Sequence, residues 1–161
     1  MSVILKLMKS KQPNQPKQIS NRRARHDYAL EDSLVVGLEL TGAETKALRM
    51  GHGQLRGAYV TVKGGELFLI NATINGTSGI PIVEADQTRA RKLLAKRREI
   101  EKLIEAKQQG RTIVPLEMLI GGRYIKLRIA VGQGKKLYDK RQSLKKRDEA
   151  RHIASELKRG R

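Results

Sequence analysis

Apolar and polar positions alternate by twos over much of this chain. Leu34, Val36, Leu38 and Leu40 fall on one face of residues 34–40, as a half-buried strand requires. Over 57–63, Ala58, Val60 and Val62 oppose Tyr59, Thr61 and Lys63, and a further strand is expected over 66–71. Lys63-Gly64-Gly65-Glu66 between them suits a two-residue hairpin, because both central residues of such a turn need positive φ. Later runs predict strands at 112–120 and 123–131, joined at Gly121-Gly122, with Pro115 marking an edge or a bulge. A shorter run at 26–30 brings the expected strands to six.

Two segments follow a helical period instead. Residues 41–50 form a helix that Thr41 caps and Gly51 ends. A longer helix is expected over 87–109, closed by Gly110, with Leu93, Ile100 and Ile104 as its apolar stripe, Leu103 beside it, and Arg91, Arg98 and Lys102 opposite. The predicted fold is mainly β: a small closed barrel of about six strands, of the oligonucleotide-binding (OB) type, with two to three flanking helices. The spacing alone also allows another small barrel. Residues 1–18 contain Pro13, Pro16 and little periodicity, and are expected to be a disordered basic arm; 19–133 form the barrel domain, and 134–161 a basic tail.

Composition adds a partner. The net charge is +18, and it is uneven. Residues 1–26 carry +7, 27–88 carry −4, 89–111 carry +6, 112–133 carry +2 and 134–161 carry +7. A fold does not need such an excess, and its localisation points to surfaces that displace counterions from nucleic-acid phosphates. The absence of Cys excludes a disulfide framework and a thiolate metal site, and fits a cytoplasmic home. No apolar run approaches the roughly 20 residues of a membrane span.

Four motifs carry the candidate chemistry. In Asn21-Arg22-Arg23-Ala24-Arg25-His26-Asp27-Tyr28, the Arg side chains offer planar forks for phosphate, and His26 and Tyr28 offer rings for base stacking. Asp27, if paired locally, would hold one of the Arg side chains. Lys46 and Arg49 share a helix face on which one phosphate could sit, although on its own the motif reads better as a plain amphipathic helix with Leu48 inward. Arg89, Arg91 and Lys92 would lie in the first turns of the second helix, where they oppose its dipole unless an anion compensates. Gly134-Lys135-Lys136-Leu137-Tyr138-Asp139-Lys140-Arg141 sets an aromatic among bases and runs on through Lys145, Lys146, Arg147 and Arg151. Ala150, Ile153, Ala154 and Leu157 form a stripe too thin to hold an isolated helix, so the tail is expected to be disordered alone and helical on a polyanion.

Nothing resembles a catalytic centre. His26, His52 and His152 lie in three separate zones without metal-ligand spacing, and Gly51-His52-Gly53 lacks the Lys-Ser/Thr of a phosphate loop. Glu39 and Glu44 are better explained by structural pairing than by acid–base chemistry. No cofactor, no metal and no enzymatic activity are expected.

Taken in order, the motifs give a resemblance. Asn21–Tyr28, Gly42-x-Glu44-x-Lys46-x-Leu48-Arg49, Tyr59-Val60, Gly65-Glu66-x-Phe68-Leu69, Arg89-x-Arg91-Lys92-Leu93-Leu94, Gly110-x-Thr112, Pro115-Leu116 and Gly134-Lys135-Lys136-x-Tyr138-Asp139-Lys140-Arg141 resemble the SmpB family, the SsrA-binding proteins that accompany transfer-messenger RNA. The chain departs from the family at Val35, where Glu is usual on the RNA-binding face, and at Ala43, Ala47, Gln87, Leu119 and Tyr138. The resemblance implies a monomer bound to the transfer-RNA-like domain of transfer-messenger RNA and delivered to stalled ribosomes for trans-translation. It implies RNA contacts from Asn21, Arg22, Arg23, Arg25, His26, Tyr28, Lys46, Arg49, Arg89, Arg91 and Lys92. It implies ribosomal contacts near the decoding region from Lys135, Lys136, Tyr138, Asp139, Lys140, Arg141, Lys145, Lys146, Arg147 and Arg151. A small-subunit ribosomal or assembly protein would share the barrel and the basic tails, and remains the alternative.

Overall fold

The computed structural model describes residues 18–159. The expected disordered arm falls outside them, except that Gln18 begins the first strand. In chain order the elements are β1 (Gln18–Ser20), α1 (Ala24–Asp27), β2 (Tyr28–Leu38), α2 (Gly42–Arg49), β3 (Gly53–Gln54), β4 (Tyr59–Lys63), β5 (Glu66–Ile70), β6 (Thr73–Ile74), α3 (Glu84–Gln87), β7 (Arg91–Leu94), α4 (Arg97–Gln108), β8 (Thr112–Leu119), β9 (Lys126–Gly134) and α5 (Leu137–Arg159).

Six strands close into an antiparallel ring, in the order β8-β4-β5-β7-β2-β9 and back to β8. Closure removes the open edges that would otherwise invite pairing with other chains. β1 adds to β8 beyond the point where β4 leaves it: Ile19 faces Met118, whereas Val60 of β4 faces Ile113. β3 and β6 form a separate two-stranded sheet. The ring is filled by aliphatic side chains, among them Leu67, Leu69, Met118, Leu127 and Ile129, and α2 inserts Ala47 and Leu48 into the same cluster. Each such large side chain contributes about 1.5–3 kcal/mol by leaving water.

Local chemistry explains the corners. Lys63 pairs with Glu66 across Gly64 (φ 60°) and Gly65 (φ 75°), the predicted tight hairpin. Thr41 caps α2: its hydroxyl accepts from the Glu44 N–H at 3.2 Å, while its own N–H donates to the Glu44 carboxylate at 2.9 Å. Gly51 (φ 87°) ends that helix, and the His52 N–H reaches back to the Ala47 carbonyl at 3.0 Å. Pro115 sits at a bulge, where the β8–β9 register shifts between Pro115 and Glu117.

The structure departs from the expected elements in three places. The run at 26–30 is not a separate strand: Ala24–Asp27 form a helical turn, and the remainder joins the next run in one 11-residue strand, β2, whose register slips between Leu30 and Ser33. The last strand begins at Lys126 rather than at Arg123, leaving 120–125 as a loop. The helix expected over 87–109 divides into the short α3, the strand β7 and α4. In β7, Arg91 and Leu93 point inward and Leu94 outward, a period of two that the spacing to Ile100 and Ile104 had masked. Arg89, Arg91 and Lys92 therefore do not oppose a helix dipole. The ring still has six strands, because β7 replaces the run that merged into β2.

α5 stands apart. It spans 23 residues, roughly 34 Å at 1.5 Å per residue, and none of them is buried. Among the described residues, no helix is long and apolar enough to cross a membrane.

Candidate nucleic-acid interface

The first basic motif is anchored by its own Asn. Asn21 donates its side-chain amide to the Pro115 carbonyl at 3.0 Å and its N–H to the Leu116 carbonyl at 2.7 Å, satisfying the bulge that Pro115 creates. Ala24 is buried, so the short turn of α1 is pinned from below and Arg22, Arg23 and Arg25 are left exposed. The Asn21 side chain is thus committed to positioning. Beside the turn runs a cleft lined by Arg22, Arg23, Gln54 and Arg56, which continues past Tyr28 to Tyr59. Tyr59 is 45 % exposed. Neither Arg56 nor Tyr59 is set apart by charge clustering in the sequence; the fold places them there through the β3–β4 connection.

Asp27 joins the first motif to the fourth. Its carboxylate lies 3.0 Å from His26 Nδ1 and 3.2 Å from Lys140 Nζ at the root of α5. Hydrogen bonds from His26 and then Lys140 hold the Asp27 carboxyl below its ordinary value, against a smaller opposing effect of burial. The expected Arg partner of Asp27 is therefore replaced by His26 and Lys140. Lys135 adds to the junction, donating its N–H to the Asp27 carbonyl at 2.8 Å and its ammonium to the Arg25 carbonyl at 3.0 Å. Beyond this root, Lys136, Tyr138, Asp139, Arg141, Lys145, Lys146, Arg147 and Arg151 all face solvent, and Tyr138 is 66 % exposed.

The second and third motifs meet in an ion cluster. Glu44 is buried at the start of α2 and receives Arg89 through a fork, Nε to Oε1 at 2.9 Å and Nη2 to Oε2 at 2.7 Å. Arg91 Nε reaches the same Oε1 at 2.9 Å. The remaining Arg91 donors go to the carbonyls of Ala72 (2.7 Å), Arg89 (3.1 Å), Asp86 (3.1 Å) and Gln87 (3.0 Å). Burial pushes the Glu44 carboxyl up, but the hydrogen bonds from Arg89, the Thr41 N–H and Arg91 together outweigh it and hold it below its ordinary value. Burial also pushes the Arg91 guanidinium down, opposed by Glu44, though an Arg keeps its charge in proteins.

This geometry corrects part of the expected RNA surface. Arg91 is 0 % exposed and has no face to offer a phosphate; its work is to tie α3 and Ala72 to α2. Arg49 donates to the carbonyls of Ile120 (3.4 Å), Gly122 (3.3 Å) and Arg123 (2.9 Å), so it clamps the β8–β9 loop rather than sharing an anion with Lys46. Arg89 is a third exposed while paired. Lys46 is exposed, and Lys92 pairs with Glu66 on the surface. Charge clustering cannot separate an Arg that binds carbonyls from one that binds phosphate.

A further surface was hidden in the strand alternation. On the outer side of the ring, exposed Val35 of β2 lies directly opposite Arg128 of β9, while Gly37 pairs with Leu94 on one side and Lys126 on the other. The Arg128 guanidinium lies 2.8 Å from the Glu117 carboxylate on the neighbouring strand. Exposed Val35 and Leu94 bordered by Lys126 make an apolar patch with a cationic rim.

Known proteins match both the sequence and the fold. The family profile described as SmpB protein matches residues 18–159. An SsrA-binding protein of Acetivibrio thermocellus is 42 % identical over 139 residues, covering 86 % of this chain and 90 % of the relative. One of Burkholderia vietnamiensis is 46 % identical over 149 residues, covering 88 % and 97 %. A solved structure described as "tmRNA-SmpB: a journey to the center of the bacterial ribosome" superposes with a TM-score of 0.63 at 35 % identity, covering 76 % of this chain and 87 % of that one.

Proposed function

The chain belongs to the SmpB family, and from that membership we propose that it binds the transfer-RNA-like domain of transfer-messenger RNA and brings it to stalled ribosomes for trans-translation. The strand ring is the part that holds this RNA. Arg22, Arg23, Arg25 and Lys46 supply phosphate contacts, with His26, Tyr28 and Tyr59 beside them, and the Val35–Leu94–Lys126 face supplies a second area of contact. The protein acts in the cytoplasm as a monomer on its RNA, by binding and without chemistry of its own.

The observation that carries the reading is α5, a 23-residue helix with no fully buried side chain, rooted on α1 at Asp27–Lys140 and rich in Lys and Arg. A helix with no fully buried residue gains little from the domain that bears it, and its thin stripe of Ile153 and Leu157 is exposed. It is marginal when free and becomes fixed when phosphate neutralises its bases. A message path filled by RNA excludes it. An empty path, walled by ribosomal phosphate, admits it, so occupancy is sensed without reading any base sequence.

Tyr138 stands at the first turn of that helix among Lys135, Lys136, Lys140 and Arg141, the arrangement in which a ring stacks on a base while cations hold the backbone. Tyr138→Ala is expected to slow tagging on stalled ribosomes by the ~1–3 kcal/mol of one stacked base, with affinity for free transfer-messenger RNA unchanged. Tyr138→His, which keeps a flat ring, is expected to retain most of the rate. A tagging rate untouched by Tyr138→Ala would remove Tyr138 from the decoding contacts.

A further inference from the structure

We propose that Arg123 and Tyr124, on the loop between β8 and β9, form a separate stacking site for one unpaired RNA base and its flanking phosphate. The proposal rests on the reading that the strand ring binds a folded RNA, and locates on it a contact outside the four basic motifs.

Tyr124 is 70 % exposed, more than Tyr59 or Tyr138, so its ring serves no core. The Arg123 guanidinium carbon lies 5.5 Å from the centre of that ring, within cation–π range. The guanidinium lies over one face of the ring and leaves the opposite face to a stacked base, with its charge near the phosphate that flanks that base. A loop containing Gly121-Gly122 would ordinarily be loose, and a loose ring binds poorly because ordering it costs entropy. Here both ends are fixed by buried Ile120 and Ile125, and Arg49 spans the loop through the carbonyls of Ile120, Gly122 and Arg123. The ring is therefore held ready rather than recruited. Lys126 follows the loop on the exposed face of β9, and exposed Lys46 lies one helical turn from Arg49. An exposed aromatic on a braced loop, with cations on two sides, matches what an unstacked base in an RNA loop requires: a flat surface and a neutralised backbone. Arg49 acts through the loop as a positioning residue.

The chain contains no Trp, which makes the test direct. Tyr124→Trp in the full-length protein introduces a single indole whose emission is quenched when a base stacks on it. Titration with the transfer-RNA-like domain of transfer-messenger RNA is expected to quench it strongly. Tyr124→Ala is expected to weaken binding of that RNA by about 5- to 150-fold, and Tyr124→Phe to leave it nearly unchanged. Adding Arg49→Ala to Tyr124→Trp is expected to reduce the quench while the far-ultraviolet dichroism stays the same. Emission that is unchanged in a complex saturated with RNA would overturn the site and leave the proposed function standing. Quenching by a single-stranded RNA of equal length, without any preference for the folded domain, would uphold the site and overturn that function. Binding of neither RNA would overturn both.

Discussion

Ending the chain at Arg141 is expected to abolish peptide tagging on stalled ribosomes while leaving the RNA complex nearly intact. The cut removes residues 142–161, with seven bases and three acids, and keeps the root in which Lys140 meets Asp27. No residue of α5 is fully buried, and of those removed only Leu144 is half-buried, so the ring loses little packing and its unfolding midpoint should scarcely move. Affinity for the transfer-RNA-like domain should fall by no more than about threefold, the share owed to long-range attraction, and that share should shrink as salt is raised. Tagging on ribosomes halted at the end of a message should fall to the level seen without protein, because nothing then enters the empty path. A loss of RNA affinity as large as the loss of tagging would mean that the two polyanions share one surface.

The second large effect concerns the fold. Glu44→Gln is expected to cost about 3–5 kcal/mol, because it leaves the Arg91 charge enclosed without a counter-charge. Against the roughly 5–15 kcal/mol by which such domains are stable, that is a large share. Lys92 and Glu66 provide the internal contrast. That pair is exposed, and Glu66→Gln should leave the urea midpoint nearly unchanged. Urea unfolding of the two variants separates the cases. The pH dependence gives the sign independently. The Glu44 carboxyl is held below its ordinary 4.5 in the folded protein, so its contribution is complete above that pH and is lost as pH falls through the depressed folded value. The gap between wild type and Glu44→Gln should therefore be widest near neutrality and narrow in acid. A constant gap from pH 7 to pH 3 would show that shape, not charge, is what the Gln fails to supply.

The parts of this fold that can be read from sequence are those decided within a few residues. The Gly64-Gly65 hairpin, the Thr41 cap, the Gly51 stop and the Pro115 bulge each follow from local φ or from a missing N–H, and each is where the pattern puts it. β7 was illegible for the opposite reason. Leu93, Ile100 and Ile104 happen to fit a helical stripe, and what makes 91–94 a strand is pairing with β5 and β2, more than 20 residues away, while Arg91 meets Glu44 from 47 residues off. The same distance hides the roles of the Arg residues. Arg22, Arg23 and Arg25 face solvent because α1 is pinned through Asn21 and Ala24, whereas Arg49 and Arg91 are consumed by carbonyls and by Glu44. One signal is present: Arg123-Tyr124 follows Gly-Gly, an adjacent cation and ring beside a turn, within a run whose pattern reads as strand.

Two bodies of positive charge with different anchorage result: one on the closed ring of strands and its short flanking helices, the other on a helix in which no residue is fully buried. In the function proposed above the first must hold its RNA before the second can act. Competition binding of the full-length protein at physiological salt tests it most directly, setting the transfer-RNA-like domain of transfer-messenger RNA against an unrelated RNA of equal length. A preference for the folded domain of at least about tenfold, some 1.4 kcal/mol, is predicted. Equal affinity for the two would reduce the +18 charge to general attraction for RNA and contradict the assignment.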